Sequence, residues 1–327
     1  MTKSRQSADF AAGGPSVAGK NAIINGTFDI WQRGTSFTVG SSYTADRWYL
    51  TGTVPAVTIS RESSTVATGS LYSLKIAPTG GSGVVNMNQA IETLNAIRFA
   101  GQTVTLSVDA AATASTTIST QLWSSTATDN AVGGTWTQIT ATNGGSGTVS
   151  TSTFSKISGV YSVPSTAKSL LVVIVSSGTA GQSAFLDNVQ LELGSTATPF
   201  SRAGGTIQSE LAACQRYYQR LDASTAAAQM AIGDGWAFSA NGADMVYKLT
   251  VEMRVTPTVL DYSSLSHFQW QGTTTNSVPT SIVYDSNITS KYNAGVTFNK
   301  TSGYTSGGNY IFLTNSTSGY IGFGAEL

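Results

Sequence analysis

The sequence is short of charge. Asp, Glu, Lys and Arg together make up 10% of its 327 residues, against roughly 25% in an average soluble protein. The two signs balance at 17 each, so no field of one sign exists to hold a nucleic-acid backbone, and nucleic acid is not expected as a partner. Weak self-repulsion between copies also permits dense assembly. Cys214 is the only cysteine, which rules out an internal disulfide and a thiolate zinc site. His267 is the only histidine, so a Ser-His-Asp triad or a multi-histidine metal site has almost nothing to draw on. A glycosidase built on carboxylates alone stays open. No run of about 18 apolar residues occurs, and no membrane insertion is expected. The opening MTKSRQSADFAAGGPSVAGK has no apolar stretch of the kind a secretory signal needs. It reads as an extended arm.

In place of charge the chain carries Ser, Thr, Gly and Asn. That composition suits exposed β structure, because Thr tolerates strands while Gly, Asn and Ser make turns. From Asn21 onward, short apolar stretches alternate with turn clusters about every 8–12 residues, the signature of sandwiches and barrels. TVTLSVDA puts Val104, Leu106 and Val108 on one face. SLLVVIVSS (169–177) is a continuous apolar run of strand length. In AFLDNVQLEL, strict alternation places Phe185, Asp187, Val189, Leu191 and Leu193 on one face and Leu186, Asn188, Gln190 and Glu192 on the other. TATNGGSGT (140–148) reads as a loop, and GDG (233–235) and NGAD (241–244) as turns.

Gly194 ends the first β pattern, and an extended connector through Pro199 follows. TIQSELAACQRYYQRL (206–221) is the one convincing helix, with Thr206 as N-cap. Ile207, Leu211, Cys214, Tyr218 and Leu221 would form one apolar stripe along it. A stripe this short must pack either on its own chain or on copies of itself around a symmetry axis. The β pattern then resumes to the end, with VYKLTVEMRV alternating from Val246 to Val255. The expected architecture is all-β: two β-sandwich, jelly-roll-like domains joined by one short helix, with an extended N-terminal arm. Residues 1–20 are the arm, 21–200 the jelly roll, 201–225 the connector with its helix, and 226–327 the second sandwich.

Asp187 is the most informative polar residue. A carboxylate on a core face needs a cation or several hydrogen-bond donors. Three partners are open: Arg47, backbone N–H groups at a corner, or a structural calcium ion sharing Asp29. Trp48 is expected in the core, with Asp46 and Arg47 bracing a corner. In the second domain, Trp270, Tyr284, Tyr292 and Tyr304 lie among polar loops and are candidates for a glycan-recognition surface. The alternative is that they fill a second core or a subunit interface. Asp234, Asp244, Asp261 and Asp285 could supply a carboxylate pair, but nothing in their spacing selects one.

Two segments carry a resemblance. NAIINGTFDIWQRGTSFT…YTADRWYL and QLELGSTATPFSRAGGTIQSELAACQRYYQRL resemble the opening and the domain junction of bacteriophage tail-fibre and related virion surface proteins. MRVTPTV and the final GAEL are similar to that family's C-terminal domain. The resemblance implies a first domain like a carbohydrate-binding module and a homo-oligomer, usually a trimer. It implies a virion location, reached by assembly in the host cytoplasm. It further implies docking on another virion protein through residues 1–20, loops facing a host surface polysaccharide, and a structural calcium whose matching positions here are Asp29 and Asp187. No catalytic residue is assigned. The function expected is non-enzymatic attachment by a tail or baseplate fibre. The alternatives are a capsid decoration or head fibre and, further off, a polysaccharide depolymerase.

Overall fold

The alternating segments form strands, and nearly all pairing is antiparallel between segments distant in sequence. The computed structural model describes residues 19–38, 40–150, 152–223, 229–271 and 278–327. The expected arm lies outside these, apart from Gly19 and Lys20. The chain divides into two units, one running to Cys214 and the other spanning Gln215–Glu326.

In the first unit, one sheet has the strand order Ser36–Thr38, Ala56–Glu62, Ser73–Gly80, Ala184–Leu193, Thr103–Ala112, Ser155–Ser162, Ala141–Gly144. The facing sheet runs Ser146–Val149, Thr116–Ser125, Ser169–Thr179, Ser82–Ile91, Tyr49–Gly52, Ser42–Tyr43. Val104, Leu106 and Val108 from the first sheet meet Leu122, Val172 and Ile174 from the second in a single core, with Trp48 fully buried among them. Ser169–Thr179 reads as unbroken apolar sequence because both its faces are covered. Leu171 and Val173, pointing away from the core, are buried under Trp123 and Trp136.

Three local expectations change. The turn-rich stretch 140–148 is not a loop. Ala141–Gly144 belongs to one sheet and Ser146–Val149 to the other, and the chain steps between them at Gly144 and Gly145, whose φ values are 65° and 94°. The glycines are there because this corner needs left-handed backbone. The opening segment 23–31, part of the β pattern expected from Asn21 onward, holds a turn at 24–27 and no strand. It still lies along the closing strand, through Ala22 N–H to Leu191 O (3.0 Å) and Val189 N–H to Gly26 O (2.9 Å). A Cβ on Gly26 would sit 2.3 Å from Val189 O, so this glycine is needed for close approach. Finally, the alternation in Ala184–Leu193 changes phase. A bulge falls between Asp187 and Gln190, with Asn188 at φ 51°. Ala184 and Leu186 face the core before it, and Val189 and Leu191 after it. Asp187 therefore does not share a face with Val189, because the bulge inserts one residue into the count.

The helix is shorter than its stripe. Thr206 caps it as expected, its Oγ1 accepting from Ser209 N–H at 3.2 Å, but the helix spans Ile207–Gln215 only. Tyr218 and Leu221 lie instead in the strand Tyr218–Asp222, paired with Tyr320–Gly324. Cys214 is buried, while Ile207 and Leu211 are exposed. The five residues do not form one helical face, because a ladder with the distant C-terminal strand outweighs two further turns of helix.

The second unit holds a three-stranded sheet, Tyr218–Asp222, Tyr320–Gly324, Val259–Tyr262, and a six-stranded one, Phe268–Gln271, Asn309–Thr314, Ala231–Ala237, Gly242–Lys248, Asn293–Asn299, Ser281–Asp285. Gly233–Gly235 is strand rather than turn, and the alternating stretch from Val246 leaves the sheet after Lys248. Met245, Phe268, Phe298, Phe312 and Phe323 fill the core.

Candidate functional site

The two junction motifs meet in a knot of buried polar side chains. Asn21 donates from Nδ2 to Val189 O (3.0 Å) and Ser201 O (3.1 Å), and its Oδ1 accepts from Ile23 N–H (2.9 Å) and Leu191 N–H (3.0 Å). One amide thus ties the opening segment, the closing strand and the connector together, with its hydrogen-bonding capacity filled. Gln190 Oε1 accepts from Ser201 N–H at 2.8 Å, and Glu192 accepts from Thr198 N–H at 2.8 Å. Glu210, from the helix, accepts from Gly204 N–H at 3.0 Å and from Asn25 N–H. Burial pushes the Glu210 carboxyl up from the ordinary carboxylate range. The residues that carry the sequence resemblance are therefore structural at this junction: each satisfies backbone groups that a sandwich corner would otherwise bury unpaired.

Beside the knot opens a cleft of about 500 Å³, lined by Thr27, Ser70, Asp109, Lys156, Asn188, Phe200 and Arg202 among others. Of two ion pairs at its edge, Arg202, Lys156 and Asp109 line the cleft, and Asp29 stands behind Arg202 outside the lining. Arg202 Nη2 lies 2.6 Å from Asp29 Oδ2, and Lys156 Nζ lies 2.8 Å from Asp109 Oδ1. Arg202 also donates to Thr27 Oγ1 at 2.8 Å, and Asn188 Nδ2 donates to Asp109 Oδ2 at 2.9 Å. Strand register assembles this set, since Asp109 is opposite Lys156 on one side and Asp187 on the other. The bulge then turns Asn188 toward Asp109.

Asp187 sits fully buried behind the cleft. Its Oδ1 accepts from Asn188 N–H at 2.7 Å and its Oδ2 from Ala67 N–H at 3.4 Å, with a further hydrogen bond from the Ser70 side chain. Burial pushes its pKa up to about 7, those hydrogen bonds oppose the rise, and the negative charge of Asp29 adds to it. Of the three partners open from sequence, backbone N–H groups are the ones found. Arg47 donates to Ala90 O at 2.7 Å.

The structure brings Asp29 and Asp187 together, but the pair does not fit a calcium ion. Asp29 Oδ2 is already taken by a guanidinium, and both Asp187 oxygens already accept backbone N–H groups, whereas calcium asks for about six to eight free oxygen ligands. Among the described residues, no group of three or more His, Cys, Asp or Glu side chains is placed to hold a metal ion.

The aromatic set chosen for glycan recognition separates. Trp270 and Tyr304 are buried and pack at 4.8 Å between ring centroids, with Lys300 Nζ 4.3 Å from one centroid and 4.0 Å from the other. They are core, although the sequence around them is polar. Tyr284 is half-buried and donates its hydroxyl to Pro257 O. Tyr292 alone of the four is open to solvent, at 61% exposure. The cleft residues Asp109, Lys156, Asn188 and Arg202 had no signal in sequence, because no spacing connects them.

No protein-family model matches the chain, and no curated protein matches it. Several solved structures are similar in fold. TmCBM61 in complex with β-1,4-galactotriose is 12% identical with a TM-score of 0.36, covering 53% of this chain and 99% of its own. The family 22 carbohydrate-binding module of Clostridium thermocellum Xyn10B is 19% identical with a TM-score of 0.34, covering 49% and 98%. The enzymatically active domain of bacteriophage CBA120 tailspike protein 4 is 15% identical with a TM-score of 0.36, covering 54% of this chain but only 22% of that one. Each of these likenesses extends over about half of this chain.

Proposed function

We propose that the protein is a non-enzymatic fibre component of a phage virion that attaches to a host surface glycan, with the cleft of the first unit as its saccharide pocket. The observation that carries the pocket is the pairing of Arg202 with Asp29 and of Lys156 with Asp109 around one cavity beside Phe200. A sugar hydroxyl both donates and accepts. A wall that offers carboxylate acceptors next to cationic donors meets adjacent hydroxyls with charge-assisted bonds, and an aromatic ring beside them covers the apolar face of the sugar ring. The virion location rests on the sequence resemblance at the opening and the domain junction.

Removing one ion pair whole, by Lys156→Ala with Asp109→Ala, avoids leaving a lone charge. The double variant should bind host surface polysaccharide about tenfold more weakly with an unchanged unfolding temperature, and wild-type protein should leave the chain length of that polysaccharide unaltered. Undiminished binding would remove the pocket from the proposal, and shortened chains would make the protein a depolymerase. Deleting residues 1–20 should leave a folded homo-oligomer, expected to be a trimer, that fails to join particles. Normal incorporation in a complementation assay would show that the anchor lies elsewhere.

A further inference from the structure

The six-stranded sheet of the second unit turns one face to its core and the other outward. On the outward face, the strand register lines up Asn309, Trp236, Asp244, Thr297 and Val283 across five strands. Trp236 is 42% exposed, a large indole that stacks on no other aromatic ring among the described residues. Asp244, next to it, is held in orientation by Thr297, whose hydroxyl donates at 2.7 Å. Asp234 precedes Trp236 by two residues on the same strand, so it shares the face, and it is exposed. Ile311, opposite Asp234, and Val246 are exposed beside them.

We propose that this face is a second saccharide site, separate from the cleft, that takes a neutral glycan across the indole of Trp236 with Asp234 and Asp244 accepting its hydroxyls. The proposal rests on the glycan-binding reading and adds both a location and a ligand class. The face of an aromatic ring is electron-rich and attracts the C–H edge of a pyranose. Carboxylates on its own strand and on the neighbouring strand take the hydroxyls that radiate from the sugar ring. Two carboxylates beside the ring also set a sign. They repel uronate- or sialate-bearing chains, and Lys248 shares the face only at the far end of its strand. The same charges argue against this face of a two-fold related copy as the occupant, because an isologous contact through Trp236 would set Asp234 and Asp244 against their own duplicates.

Saturation-transfer NMR on the full chain tests this, with neutral cello- and galacto-oligosaccharides as probes and oligogalacturonate as the acidic counterpart. The wild type should bind the neutral probes and not the acidic one. Trp236→Ala should weaken that binding about tenfold without moving the unfolding temperature, and Trp236→Phe should restore part of it. The Lys156→Ala/Asp109→Ala variant should keep it. Equal binding by wild type and Trp236→Ala overturns the second site while leaving glycan binding in place, and a preference for oligogalacturonate that Trp236→Ala removes overturns the neutral ligand class. Absence of binding by the wild type to every probe overturns both this site and the reading it rests on.

Discussion

Raising the pH from 5 to 8 should lower the stability of the first unit, and Asp187→Asn should abolish most of that slope. Asp187 in the folded chain holds its proton to about pH 7, against 3.8 for an ordinary aspartyl group. The folded state therefore binds this proton more tightly than the unfolded state does. The stabilisation is fully present below pH 3.8, declines as the unfolded chain ionises while the folded one does not, and is gone once the pH passes about 7. At about 1.4 kcal/mol per pH unit, the whole effect is on the order of 4 kcal/mol, of which about 2–3 kcal/mol falls between pH 5 and 8. Glu210, raised for the same reason, acts with the same sign, whereas Glu62, lowered by its backbone hydrogen bonds from Ser64 and Ser63, changes stability only below the ordinary glutamate range and leaves this window untouched. The readout is the difference in unfolding temperature between the two pH values, compared for wild type and Asp187→Asn. An Asn cannot reproduce both acceptor oxygens, so its absolute stability is not the measure. Parallel pH profiles for the two proteins would show that Asp187 ionises normally.

Trp270→Ala should destabilise the second unit by about 3–5 kcal/mol, whereas Tyr292→Ala should stay within about 0.5 kcal/mol. Trp270 is 1% exposed, and removing its indole opens a cavity next to Tyr304. It also strips one of two ring faces from the Lys300 ammonium, which is itself nearly buried and whose pKa is lowered by that burial. A buried cation that loses its partner costs more than the lost packing alone. Chemical denaturation of both variants decides the matter. If Trp270→Ala were as mild as Tyr292→Ala, the burial described for this cluster would be wrong, and its aromatics would return as candidates for recognition.

These two residues also mark where sequence reading succeeds and fails. Asp187 stood out correctly as a carboxylate that must find donors, because an acid among apolar residues is a local conflict visible in ten letters. Its face was misjudged, because a bulge leaves no local mark: Asn188 tolerates left-handed backbone but does not demand it. Trp270 was misplaced because the polar sequence on both sides hides a strand only four residues long. Tyr218 and Leu221 satisfied both a helical stripe and a strand, and only the partner strand Tyr320–Gly324, a hundred residues away, chose between them.

The amino-acid order alone determined the all-β class, the inward faces of strands such as Thr103–Ala112, the capped start of the helix and the scarcity of ionisable groups. Each of these follows from neighbours within a few residues, where side-chain periodicity and turn chemistry act. The cleft, the buried aspartate behind it, the polar knot and the row through Trp236 were decided by tertiary structure. They depend on which strands pair and in what register, a choice made by the collective burial of the core and not by any one segment.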